Sequence, residues 1–182
     1  MPLLPHETEI FPDDLFALDT AELLWTVAHV RSRQEKVLAR FLLEQQVPFY
    51  LPQVETVRKR GGRTYRSHLP LLPGYVFLRL GPRQRDLPWR SNVVAALLDV
   101  PDQEQLGSEL AQIRQLQLAG ASLRPEPVFA AGDAVRVTAG VFAGYTGTVV
   151  RQRGETRLIV QISLIRQAVA VEFDRDAVTH GR

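Results

Sequence analysis

The chain has no cysteine, which excludes disulfides and thiolate metal sites and makes the cytoplasm the expected address. No apolar run approaches the roughly 18 residues of a membrane span, and the first residues lack the charged-then-apolar layout of a secretory signal. No membrane partner is expected. Lysine is nearly missing: of 22 basic residues only Lys36 and Lys59 are not arginine. Arginine forks onto phosphates and stacks on bases where lysine offers only a point charge. Catalytic groupings are missing as well. His6, His29, His68 and His180 show neither i, i+4 nor metal-ligand spacing, and there is no glycine-rich phosphate loop or G-x-S-x-G turn. The reading is a non-enzyme with no catalytic residue, metal or cofactor.

The charge that is present is uneven. The formal net charge is +2, but residues 1–24 hold Glu7, Glu9, Asp13, Asp14, Asp19 and Glu22 and no Lys or Arg. The remaining 158 residues therefore carry 22 basic against 14 acidic groups, or +8. Acidity together with Pro2, Pro5 and Pro12 predicts a disordered extension over residues 1–24, ahead of the first domain.

Beyond it the hydrophobic periods suggest alternating elements. "WTVAHV" (25–30) has strand composition. Ser32 and Glu35 match a capping box, and a helix is expected from about 33 to 46 with Leu38, Phe41, Leu42 and Gln45 on one face. Phe49–Leu51 and Val54–Arg58 read as strands, Gly61–Gly62 as a hairpin tip, and Tyr75–Leu80 as a strong strand. An apolar stretch, 93–100, precedes a helix in which Leu106, Leu110, Ile113 and Leu116 recur at helical spacing. These elements predict a mixed sheet covered by two helices over residues 25–118. "AGASLRPEP" (119–127) has linker composition. After it the period becomes two, and short alternating segments separated by glycines predict a small barrel over 128–182.

Two stretches of the first domain stand out. "RKRGGRTYR" gathers Arg58, Lys59, Arg60, Arg63 and Arg66 on the hairpin with Tyr65 among them. Like charges so close repel, and phosphates or acids would offset that cost. Arg31 and Arg33 add to this basic character at the helix start. The second stretch is "HLPLLPGYVFLRL" (68–80), where Leu72, Pro73, Tyr75 and Phe77 offer large apolar surface beside a glycine. Tyr75 and Phe77 share one face of the strand.

In their order and spacing, the strand at Trp25, the capped helix, "PLLPGYVF" and "GDAVRVTAGVFAGYTGTVV" resemble the NusG family over roughly residues 25–178. That resemblance implies an α+β fold: an N-terminal NGN domain, with a mixed or antiparallel sheet flanked by helices, and a C-terminal SH3-like KOW β-barrel. The basic hairpin and the helix "RQEKVLARFLLEQQ" look closer to the specialised RfaH-like paralogues than to housekeeping NusG.

The resemblance further implies a transcription elongation and antitermination factor. Leu72, Pro73, Tyr75 and Phe77 match positions that receive the β′ clamp helices of RNA polymerase. Arg31, with Gln34 near it, matches a position facing the non-template DNA strand. A small-subunit ribosomal protein or Rho would be the KOW partner, at a turn whose Phe-Gly-Arg pattern is here Ile165, Arg166 and Gln167. A monomer is expected. A rival reading, a ribosome-associated KOW protein binding RNA, shares the barrel and the charge but leaves the "LLPGY" surface without a role.

Overall fold

The computed structural model describes residues 7–18, 21–126, 133–137, 146–152, 155–172 and 178–180. The chain divides into two compact units, residues 1–103 and 104–182.

The first unit is built on an antiparallel sheet. Its strands are β1 (Ile10–Phe11), β2 (Leu24–Val30), β3 (Phe49–Tyr50), β6 (Tyr75–Leu80) and β7 (Val94–Asp99), in the order β1-β3-β6-β2-β7. Helix α1 (Glu35–Glu44) follows β2, and the strands β4 (Gln53–Arg60) and β5 (Arg63–Pro70) form a separate two-stranded ribbon. Every pairing in the five-stranded sheet is antiparallel. The expected mixed sheet therefore resolves to its antiparallel form.

One face of the sheet is closed by α1. Leu38, Ala39 and Leu42 of the helix pack with Ala28, Val30, Val76, Leu78 and Leu80 of the sheet. Full burial of a leucine contributes about 1.5–3 kcal/mol, so this seam is a principal stabiliser of the unit. The helix is shorter at both ends than its apolar pattern predicts. It ends in a Schellman arrangement, in which Val47 N–H donates to the Leu42 carbonyl and Gln46 N–H to that of Leu43. Gln46 takes the left-handed position at φ +54°, normally a glycine's place.

The acidic N-terminal segment is not a disordered extension over its described part. Ile10 and Phe11 pair with Tyr50 and Phe49, Leu15 is fully buried, and Phe16 packs edge-on to Tyr50 at 5.5 Å and against Trp25 at 5.8 Å. The acids take specific partners. Glu7 pairs with Arg40 at 3.2 Å, and the Glu9 carboxylate accepts from Gln53 N–H at 3.4 Å. Apolar residues spaced between the acids decide the outcome: their burial outweighs the repulsion that composition alone suggests.

The second unit carries helix α2 (Gln103–Leu118), which begins on the last residue of the first, and an antiparallel sheet of six strands. These are β8 (Leu123–Glu126), β9 (Asp133–Val137), β10 (Thr146–Gln152), β11 (Glu155–Ile162), β12 (Gln167–Glu172) and β13 (Val178–His180), in the order β13-β9-β10-β11-β12-β8. Leu106, Leu110, Ile113 and Leu116 are all buried, as their spacing predicts. Residues 123–126, expected as linker, instead pair with β12 from Leu123↔Val171 to Glu126↔Ala168. The glycine-punctuated loop with Gly140 and Gly144 lies outside the described residues.

Candidate functional site

The Pro-Gly bend ahead of β6 is fixed from two sides. Gly74 N–H donates to Glu35 Oε1 at 2.8 Å, and Val30 N–H donates to the Gly74 carbonyl at 2.9 Å. Gly74 sits at φ +88°, a region that side chains avoid. Glu35 is buried, with 6% of its surface exposed. The local pattern Ser32-x-x-Glu35 predicts a capping box, but no side chain caps this helix, whose N-cap is Gln34. Glu35 satisfies the bend's N–H instead. A buried N–H without a partner costs about as much as the hydrogen bond it lacks, and the bend has the greater need.

These bonds bring two of the sequence-predicted regions together. Arg31 follows Val30 directly, and its own N–H donates to the Val93 carbonyl at 2.9 Å. Arg31 and Arg33 are exposed and Gln34 is half-buried. Arg33 takes φ +61°, so the chain turns sharply between β2 and α1. The basic turn 31–34 thus abuts the "LLPGY" bend through the bonded pair Val30–Gly74.

Of the four apolar residues in that motif, two reach the surface. Pro73 is exposed and Tyr75 half-buried, whereas Leu72 and Phe77 are interior, with 1% and 0% of their surface exposed. The register explains the gradient. Along one face of β6, Tyr75, Phe77 and Arg79 stand opposite His29, Val27 and Trp25 of β2. At the open end the His29 and Tyr75 rings stack with centroids 5.1 Å apart, and the His29 ring also borders Gly74. At the closed end the Arg79 guanidinium lies 5.2 Å over Trp25 and donates to the Leu23 carbonyl at 2.9 and 3.1 Å. Leu72 and Phe77 therefore support the surface rather than form it.

The hairpin residues Arg58, Lys59, Arg60, Arg63 and Arg66 are all exposed. Gly61 and Gly62 both take positive φ, +57° and +74°, as a two-residue hairpin turn requires. The ribbon is rooted at Gln53, which is buried and whose side-chain amide donates to the Glu7 carbonyl at 3.0 Å. From there eight paired residues per strand extend about 27 Å. Arg66 is engaged by Glu55 at 3.1 Å. Among the described residues Arg58, Lys59, Arg60 and Arg63 have no ion-pair partner.

In the second unit, Ser163–Ile165 form a short 3-10 turn after β11, and Arg166 takes φ +52°. Ile165 and Gln167 are half-buried and Arg166 is exposed. Arg166 holds this left-handed position without a glycine's conformational freedom. Helix α2 grips the same turn: Glu109 accepts from Ser163 N–H at 3.1 Å and from Ser163 Oγ at 2.7 Å.

Sequence reasoning missed His29, and it assigned Glu35 to the wrong partner. A strand histidine opposite the first residue of "YVF" was the available signal for the first. Nothing local marks the second.

Comparison with known proteins gives the chain named relatives. The family model described as transcription termination factor nusG matches residues 23–105. The transcription termination/antitermination protein NusG of Yersinia pestis is 30% identical over 138 residues, covering 72% of this chain and 76% of that protein. Its counterpart in Escherichia coli strain K12 is 30% identical over 131 residues, covering 68% and 72%. A chain from the crystal structure of the MjSpt4:Spt5 complex, conformation B, superposes with a TM-score of 0.28 at 14% identity, over 87% of this chain and 100% of the other; that overlap is too loose to bear on the fold. At this identity and coverage of curated relatives, the chain belongs to the NusG family.

Proposed function

We propose that the chain is a transcription elongation and antitermination factor of the RfaH-like kind. It binds the β′ clamp helices of RNA polymerase through the surface at Pro73 and Tyr75, and it contacts the non-template DNA strand through Arg31, Arg33, Gln34 and the basic hairpin. Holding the clamp and the strand together suppresses pausing or termination without covalent chemistry. The relatives' role in termination and antitermination supports this reading.

The observation that carries it is the bonded Val30–Gly74–Glu35 junction. It fixes a partly apolar surface against a cationic turn on one rigid sheet. Recognition of a helix tip needs anchors held by a rigid element, and steering toward a strand of phosphates needs unpaired cations close by. Leu72 and Phe77 act from beneath, by setting the position of Pro73 and Tyr75.

The second unit is read as the KOW domain, with β8–β13 closing into an SH3-like barrel. Its turn Ile165–Arg166–Gln167 faces the partner, a small-subunit ribosomal protein or Rho. The test is single-round transcription with purified polymerase on a template with a defined pause. The expected result is a shortened pause half-life on adding the wild-type chain and a weaker effect with Arg31→Ala. A pause half-life that the wild-type chain leaves unchanged would contradict the reading.

A further inference from the structure

The two faces of the β4–β5 ribbon differ in chemistry. Residues directly opposite in an antiparallel ladder share a face, as do residues two apart. The register pairs Arg60 with Arg63 and Arg58 with Tyr65. One face therefore presents Arg58, Arg60, Arg63 and Tyr65 as a contiguous group. The other presents Lys59, Thr64, Val57 and Arg66, and there Arg66 is engaged by Glu55. Tyr65 keeps 39% of its surface exposed, directly across from an arginine without an ion partner among the described residues. None of the three arginines grouped with the ring has an ion-pair partner among the described residues.

We infer that the ribbon binds nucleic acid as a single strand and on one face only, with Tyr65 stacking on an unpaired base and Arg58, Arg60 and Arg63 meeting the phosphates on either side. This rests on the nucleic-acid role proposed above for the hairpin and narrows it to a strand state and a face. A tyrosine ring takes up a base plane only where that base is free of its complement, whereas a duplex offers phosphates that any cation could meet. Arginine adds stacking of its own, which Lys59 on the other face does not. DNA and RNA strands share this chemistry, since the contacts are a base plane and phosphates.

The experiment is fluorescence anisotropy with the full chain and a fluorescein-labelled oligonucleotide of mixed sequence, presented as a DNA strand, an RNA strand and a DNA duplex. The wild type is expected to bind a single strand more tightly than the duplex, and the DNA and RNA arms identify which strand it prefers. Tyr65→Ala should weaken single-strand binding by about five- to a hundredfold, while Tyr65→Phe keeps it and serves as the control for folding. Arg58→Ala and Arg63→Ala should each lower the salt dependence by about one counterion. Lys59→Ala should have a smaller effect than either.

Equal losses for Tyr65→Ala and Lys59→Ala would overturn the inference, as would duplex binding as tight as that of either strand. Absence of nucleic-acid binding in a wild type that still binds polymerase would overturn it while leaving the polymerase reading standing. Strand binding that depends on Tyr65, in a chain that ignores polymerase, would support the inference and defeat that reading instead.

Discussion

The carboxylate of Glu35 accepts a hydrogen bond from the backbone N–H of Gly74 at 2.8 Å, across 39 residues of sequence. It joins the first turn of α1 to the bend before β6 and so holds the candidate binding surface to the sheet. Glu35→Ala leaves the Gly74 N–H without that partner and should cost about 1–3 kcal/mol. Glu35→Gln retains an acceptor and should cost less. Urea unfolding of the three proteins checks this, and equal midpoints for wild type and Glu35→Ala would rule out the role.

Arg79 is the most buried charged side chain described, with 1% of its surface exposed. Arg79→Ala would strip the Leu23 carbonyl of two donors, remove the cation over Trp25, and leave a void beside it. A loss of about 3 kcal/mol or more is expected. Arg79→Lys should recover little, because an ammonium lacks the planar fork. Thermal unfolding would show it, and a lysine variant as stable as wild type would contradict the account.

These two residues also mark where sequence reading stopped. Tyr75–Leu80 was legible to the residue, because proline and glycine punctuate its start and aromatic and aliphatic residues fill it. The Gly61–Gly62 tip was equally plain, since only one turn class needs two consecutive positive φ values. Glu35 was not legible, because the local pattern Ser32-x-x-Glu35 satisfied a cap on paper while the partner it takes lies far along the chain. Composition hid the packing of Ile10, Leu15 and Phe16, because six acids in 24 residues dominate any average. The motif "LLPGY" marked a bend ahead of the strand but could not say that Phe77 faces inward.

Gln46 and Arg166 both occupy left-handed backbone, at φ +54° and +52°. Glycine adopts that conformation without the clash a Cβ meets, though it adds entropy to the unfolded chain. Gln46→Gly and Arg166→Gly should each stabilise their own unit by about 0.5–1 kcal/mol. Melting curves would show a rise for each, and a fall in either would mean that its side chain contributes more than the strain it causes.

Burial pushes the Lys36 ammonium below its usual value of 10.5; Glu7 opposes the shift, Arg40 adds to it, and Glu35 opposes it. A lysine with a lowered folded pKa binds its proton less readily when folded, so the charged form costs stability at neutral and acid pH. That cost is relieved as pH rises through the folded pKa toward 10.5. Lys36→Gln should therefore show its largest advantage over wild type at neutral pH, with the gap closing in alkaline buffer. Denaturant unfolding at stepped pH tests this, and a gap that widens with pH would reverse the sign.

The most direct test of the central claim is binding of purified RNA polymerase by the wild type and by Tyr75→Ala, with circular dichroism confirming that the variant is folded. Tyr75 is the partly exposed aromatic of the motif, so its removal spares the buried Phe77 and the core beneath. The account predicts that the wild type binds and that Tyr75→Ala binds about tenfold or more weakly, as loss of an aromatic anchor does. Undiminished binding by a folded Tyr75→Ala would contradict it and move the polymerase contact away from the "LLPGY" surface.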